Sequence, residues 1–154
     1  MLSFVHTIFT KAPAFTVTAV LLGACGAPLG PIPGGALDGE IVPWPENWQH
    51  AEECENVLLQ TNPDAPYSVT IWGVGIGQEF YVGASKRSHQ WARYVEADPR
   101  VTLEVDGQLY RALAKRVTDP ATTQQVAEHF VAKYDMDRDN LSGDGAFYRL
   151  VGTP

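Results

Sequence analysis

The sequence predicts a mainly β fold, a small β-barrel with α-helices, and three observations predict it. Residues 67–72 and 101–105 alternate apolar and polar side chains and are rich in β-branched and aromatic types, as half-buried strands require. Asp106-Gly107 separates two such runs as a two-residue hairpin turn. The order of elements is strands, helix, strands, helix, strand, which suits a closed β structure plugged by helices.

Taken in order, the elements begin after residue 40. Pro43, Trp44, Pro45 and Trp48 form an aromatic and proline knot expected to pack on the barrel. Residues 46–55 are expected as a short helix, and 57–60 as a strand ended by Asn62-Pro63. Tyr67, Val69 and Ile71 share one strand face, with Ser68, Thr70 and Trp72 on the other. Residues 79–84 are the expected return strand, across a loop Gly73-Val74-Gly75-Ile76-Gly77. The glycine-rich dinucleotide motif needs a helix after its glycines. Here a strand follows, so a hairpin is expected and a Rossmann unit is not.

Ser85 or Ser88 is positioned to cap a helix with Trp91, Tyr94 and Val95 on its buried face. Asp98-Pro99 stops that helix, because proline disfavours helical geometry in the residue before it. Residues 109–117 return from the Asp106-Gly107 turn as a longer strand. Asp119-Pro120 opens a second helix, with Val126, Phe130 and Tyr134 one turn apart. Residues 147–151 close the sheet. Residues 67–117 are thus expected as a unit of hairpin, helix and hairpin.

Composition bounds the partners. The 154-residue chain is 45% hydrophobic, enough for one core, and its formal net charge is −7. That balance argues against nucleic acid and against general attraction to anionic lipid headgroups.

The N-terminus differs in kind. Lys11 is the only formal side-chain charge before Asp38, and residues 14–24 are apolar apart from Thr16 and Thr18. The run suits the h-region of a signal peptide and ends Leu22-Gly23-Ala24-Cys25, similar to a bacterial lipobox. Only a small residue before the cut fits a signal peptidase, and only the thiol of Cys25 can take the lipid. Residues 1–24 are therefore read as a lipoprotein signal peptide, 25–40 as a Gly/Pro-rich tether and 41–154 as the folded domain. The expected location is the bacterial cell envelope, lipid-anchored on the periplasmic side. A simple secretory signal, an uncleaved anchor, and a misassigned start that leaves the protein cytoplasmic stay open, since one lysine is few for an n-region. Cys25 and Cys54 could pair in an oxidising compartment, and if Cys25 carries lipid then Cys54 is single.

Phe80-Tyr81-Val82-Gly83-Ala84-Ser85-Lys86-Arg87, then Ala97-Asp98-Pro99-Arg100-Val101, then the strand ending Lys115-Arg116-Val117 carry a family likeness. The pattern resembles the pyridoxamine 5'-phosphate oxidase-like, FMN-binding split-barrel superfamily, over residues 57–154. The resemblance implies a split β-barrel and a homodimer with flavin sites at the subunit interface. It implies that Ser85, Lys86, Arg87 and Ser88 hold the FMN phosphate, and that Thr70 and Trp72 touch the isoalloxazine ring. The chemistry agrees, because a phosphate dianion wants basic side chains, hydroxyl donors and free amides at a helix start. Trp91 is read mainly as core and secondarily as a stacking residue. The strand before the first hairpin usually carries a further basic residue in this group. No Lys or Arg falls between Lys11 and Lys86, which weakens the expected hold on phosphate.

The implied activity is an oxidoreductase on a small molecule, with FMN or a deazaflavin as cofactor and no identified catalytic side chain. The alternatives are a cofactor-free binding or scaffold module of the same fold, and a haem-binding barrel with His89 as the iron ligand. His50, His89 and His129 make no metal spacing. The acidic run Asp135, Asp137, Asp139, Ser142, Asp144 lacks the glycine and glutamate of a calcium loop, having Asn140 and Ala146 there, and is read as a solvated loop.

Overall fold

A single stretch of chain, residues 67–76, joins the two edges of the sheet. In the computed structural model, which describes residues 27–141 and 143–154, this stretch is two strands joined by one residue, Trp72. Strand β1 (Val57–Thr61) pairs antiparallel with β2 (Tyr67–Ile71), from Val57 opposite Ile71 to Thr61 opposite Tyr67. Strand β3 (Gly73–Ile76) pairs instead with β4 (Glu79–Ala84). The remaining strands are β5 (Arg100–Val105), β6 (Gln108–Arg116) and β7 (Ala146–Gly152). The seven-stranded order is β2-β1-β5-β6-β7-β4-β3. Its two outermost strands are consecutive in the chain, so the sheet must curl until its edges meet at Trp72. The result is a split barrel.

This corrects the expected first hairpin. Residues 67–72 do not pair with 79–84. The hairpin is the shorter β3–β4 unit, with Gly77-Gln78 as its turn and Gly77 at φ +61°. Glycines at 73 and 75 serve close packing. A Cβ on Gly73 would overlap the Phe80 ring, and one on Gly75 would overlap Trp48. The second hairpin is as expected. Asp106 and Gly107 both take positive φ, 50° and 76°, as a turn matched to strand twist needs.

Helix α1 (Gln90–Ala97) buries Trp91, Ala92 and Val95. His89, and neither Ser85 nor Ser88, occupies its N-cap position, without a side-chain cap bond. Helix α2 (Pro120–Tyr134) starts as its sequence dictates. Asp119 accepts from Thr122 N–H at 2.8 Å and Pro120 needs no partner for a missing N–H. Its far end fastens the bend after Trp72. Tyr134 OH donates to Gly73 O and accepts from Gly73 N–H, both at 2.9 Å. Lys133 Nζ donates to Gly73 O and Ala51 O, also at 2.9 Å, and burial lowers its pKa. The Trp72 ring stacks on Tyr134 with centroids 4.5 Å apart.

The main core runs through the barrel from Trp48 and Phe80 to Trp91 and Tyr148, and a second cluster joins α2 to β3 and β4 around Val126 and Phe130. The Trp–Pro knot packs as expected, with Trp48 edge-on to Phe80 and Tyr110. The helix expected over 46–55 is reduced to a single 3-10 turn, Gln49–Ala51. Trp48 and Ala51 are buried at this turn.

Residues 34–42, partly assigned to the tether from composition, lie against the sheet. Gly34 and Ser68 exchange two backbone hydrogen bonds of 2.9 Å, Leu37 N–H donates to Gln60 Oε1, and Val42 N–H donates to Leu109 O. The proposed signal peptide and Cys25 lie outside the described residues. Among the described residues no helix is long and apolar enough to cross a membrane.

Candidate functional site

The bend at Trp72 also creates the site. Pairing between β3 and β4 stops at Gly73 opposite Val82. Beyond it β2 swings away to join β1, while Gly83 and Ala84 continue along β7. A cleft of about 810 Å³ opens between the diverging strands, within the range of small-molecule sites. One wall is β2, with Tyr67, Val69, Thr70 and Ile71, continued by Trp72. The other is the end of β4 with Ser85, Arg87 and His89 leading into α1. Trp91 reaches it from α1, and Phe130 and Phe147 from α2 and β7.

Of the residues expected at a cofactor, Thr70, Trp72, Ser85, Arg87 and Trp91 line this one cleft. Lys86 and Ser88 are exposed and do not line it. Trp91 belongs chiefly to the core, edge-on to Tyr148 at 5.4 Å. Trp72 is 41% exposed, with one face covered by Tyr134. Ser85 Oγ lies 3.0 Å from His89 Nε2.

Arg87 is already engaged. Its Nε and Nη2 donate to Asp144 Oδ1 at 3.1 and 2.9 Å, and its backbone N–H donates to Asp144 O at 2.9 Å. Asp144 raises the guanidinium pKa further, which leaves its charge fixed. A carboxylate from the acidic loop thus occupies the guanidinium fork of Arg87.

Arg116 was not singled out from sequence, yet it lines the cleft. A signal for it exists. Ala112 and Ala114 on β6 are buried while Arg111, Leu113 and Lys115 are exposed, so period-two alternation puts Arg116 on the inward face at the barrel's end. It pairs with Glu96 at 3.6 Å across half-exposed side chains. Arg116 thus brings a second cation, besides Arg87, to the lining of the cleft.

Beneath these arginines Tyr148 OH donates to Glu96 Oε1 at 3.1 Å. Burial first, then Glu96, pushes the Tyr148 phenol up to about 12, against the opposing charges of Arg116 and Arg87. Tyr81 is likewise pushed to about 12 by burial and by Glu79. A phenol whose folded pKa exceeds its unfolded value near 10 favours the fold while protonated. That stability is complete below about pH 10 and is lost as pH rises toward about 12. Tyrosinate absorbance is therefore expected to show Tyr81 and Tyr148 among the last of the six tyrosines to ionise, with unfolding, and Tyr148→Phe to remove one late phenol. Six phenols titrating together near 10 in the folded protein would contradict this.

No family model matches the chain and no curated protein matches its sequence. Solved structures do. A candidate pyridoxamine 5'-phosphate oxidase from Listeria innocua superposes with TM-score 0.56 at 15% identity, over 68% of this chain and 89% of that one. HutZ, the heme storage protein from Vibrio cholerae, gives 0.59 at 17%, over 69% and 87%. A NimC/NimA family protein from Clostridium acetobutylicum gives 0.52 at 14%, over 66% and 76%. The chain has the split-barrel fold of the pyridoxamine 5'-phosphate oxidase-like proteins, and at these identities the likeness carries the fold alone.

Proposed function

We propose that the cleft binds a flat aromatic cofactor with an anionic end, of the flavin mononucleotide type, in an oxidoreductase acting on a small molecule. The observation that carries this reading is the meeting of Trp72, Tyr67 and Val69 with two arginines, Arg87 and Arg116, in one cleft. Aromatic and aliphatic walls suit a fused ring, and guanidinium forks suit a phosphate. The residues fit the group on one condition: Asp144 and Glu96 must yield their arginines. Exposed ion pairs contribute little, so an incoming dianion can displace them. A bound flavin would supply the redox chemistry, and the chain's own residues would hold and orient it. A deazaflavin fits the same walls.

The protein in this reading is a homodimer, anchored by lipid at Cys25 to the bacterial envelope. The test is the absorption spectrum. Protein refolded or expressed with excess FMN is expected to keep a flavin band through desalting and to gain thermal stability. A colourless protein whose melting is indifferent to FMN sinks the proposal in favour of a cofactor-free module.

A haem-binding barrel is the second reading. It is favoured by His89, which lines the cleft beside Arg87, and by the likeness to a heme storage protein. It predicts a Soret band on haem titration that His89→Ala weakens.

A further inference from the structure

The bend at Trp72 is gripped from behind. Helix α2 ends at Tyr134, with Asp135 as its C-cap in left-handed backbone. The Tyr134 ring is tied to the second core cluster, 5.7 Å from the buried ring of Phe130 one turn back. The same ring stacks on the Trp72 indole, with 4.5 Å between centroids and 12° between planes. Its hydroxyl serves Gly73 twice, accepting from the N–H and donating to the carbonyl, both at 2.9 Å. A phenol can do both, because its one O–H donates while its lone pairs accept. It therefore meets Gly73 as a neighbouring strand would. On the other side of Trp72, Ile71 is held in the ladder opposite Val57. The backbone on both sides of Trp72 is thus fixed, and so is the plane of its indole. All of these contacts lie within one chain, and none needs a second copy over the cleft.

Trp72 lines the cleft and Tyr134 does not. We propose that Tyr134 is a positioning residue for the cleft: by stacking behind the Trp72 indole, it holds that ring ready as the wall against which a flat ligand ring rests. The inference rests on the reading of the cleft as a flavin-type site, and it adds a residue that never meets the ligand. The physical reason is entropy. An indole free to turn about its two side-chain torsions must be ordered when a ligand arrives, and that cost is subtracted from affinity. Tyr134 has the indole ordered beforehand, from a helix end anchored in the core. Lys133 fastens the path of the chain separately, donating to Gly73 O and Ala51 O at 2.9 Å. Replacing Tyr134 therefore releases the indole while Lys133 still holds the bend.

The test is riboflavin binding, read by flavin fluorescence, on the full native chain and on Tyr134→Leu, Tyr134→Phe, Trp72→Leu and the double variant Trp72→Leu/Tyr134→Leu. Riboflavin carries the ring without the phosphate, so the arginines do not enter. Tyr134→Leu is expected to bind about fivefold more weakly, as for one side chain that must now be ordered on binding. Tyr134→Phe keeps the stacked ring and loses only the hydroxyl, and is expected to bind as the native protein does. In the Trp72→Leu background, Tyr134→Leu is expected to cause no further loss, because its effect passes through the indole. A merely structural tyrosine would give losses that add. Melting temperature shows which variants fold. Where Tyr134→Leu does not, Tyr134→Met takes its place in the cycle, filling the space without a flat face. Additive losses, or a loss in Tyr134→Phe as large as in Tyr134→Leu, overturn the positioning while the flavin reading stands. A native protein that binds neither riboflavin nor FMN overturns the flavin reading and the positioning with it.

Discussion

Gly75→Ala is expected to destabilise the fold by about 3 kcal/mol or more, at the upper end of the cost of overpacking a core. The physical reason is the atom that the new methyl meets. A Cβ at this position would fall on Cβ of Trp48, whose indole is wedged against Phe80 and Tyr110. A clash with the tip of a long side chain is relieved by rotation, but a clash with a Cβ moves backbone. Here both backbones are tied down. Gly75 is in register with Phe80 on β4, and Trp48 Nε1 donates to Gln78 O. Gly77→Ala, two residues on, is the comparison. Nothing lies within 4 Å of its Cβ, so its cost comes only from φ +61° and is expected near 1 kcal/mol. Denaturant midpoints of the two variants give the check. Equal costs would mean that the knot around Trp48 does not pack on β3 as described.

The same pair shows why part of the fold was legible and part was not. Alternation, the Asp106-Gly107 turn and the Asp119-Pro120 start are local signals, and each element they mark is where they put it. The glycines at 73, 75 and 77 are local in sequence but not in meaning. They read as a loop, whereas Gly73 and Gly75 lie in a strand that rings from other elements approach closely. Nothing within residues 67–76 states that the strand leaves one edge of the sheet and joins the other. That register depends on β1, β5, β6 and β7 curling the sheet. The site follows the same rule. The basic cluster after β4 was visible as a cluster, yet only Ser85 and Arg87 of its four members face the cleft. Arg116 and Asp144 reach the site from the far ends of β6 and the acidic loop, and their meeting with Arg87 is a product of topology.

Replacing Arg87 and Arg116 together by alanine is expected to weaken FMN binding by about 100-fold, on the order of tenfold for each charged hydrogen-bonding group removed. Riboflavin, which has the same ring and no phosphate, should bind the variant as well as it binds the native protein. The ratio of the two affinities therefore reads the phosphate site separately from the ring site. Little stability should be lost, because both arginines hold half-exposed partners, Asp144 and Glu96. Asp144→Asn runs the other way. It removes the charge that competes for Arg87 while keeping an oxygen that can accept from the guanidinium, so FMN should bind a few-fold tighter and riboflavin no differently. A phosphate seated at this end of the cleft must respond to both changes with opposite signs. Unchanged FMN affinity in the double alanine variant would place the phosphate elsewhere. Equal losses for FMN and riboflavin would mean that the arginines shape the cleft rather than read the anion.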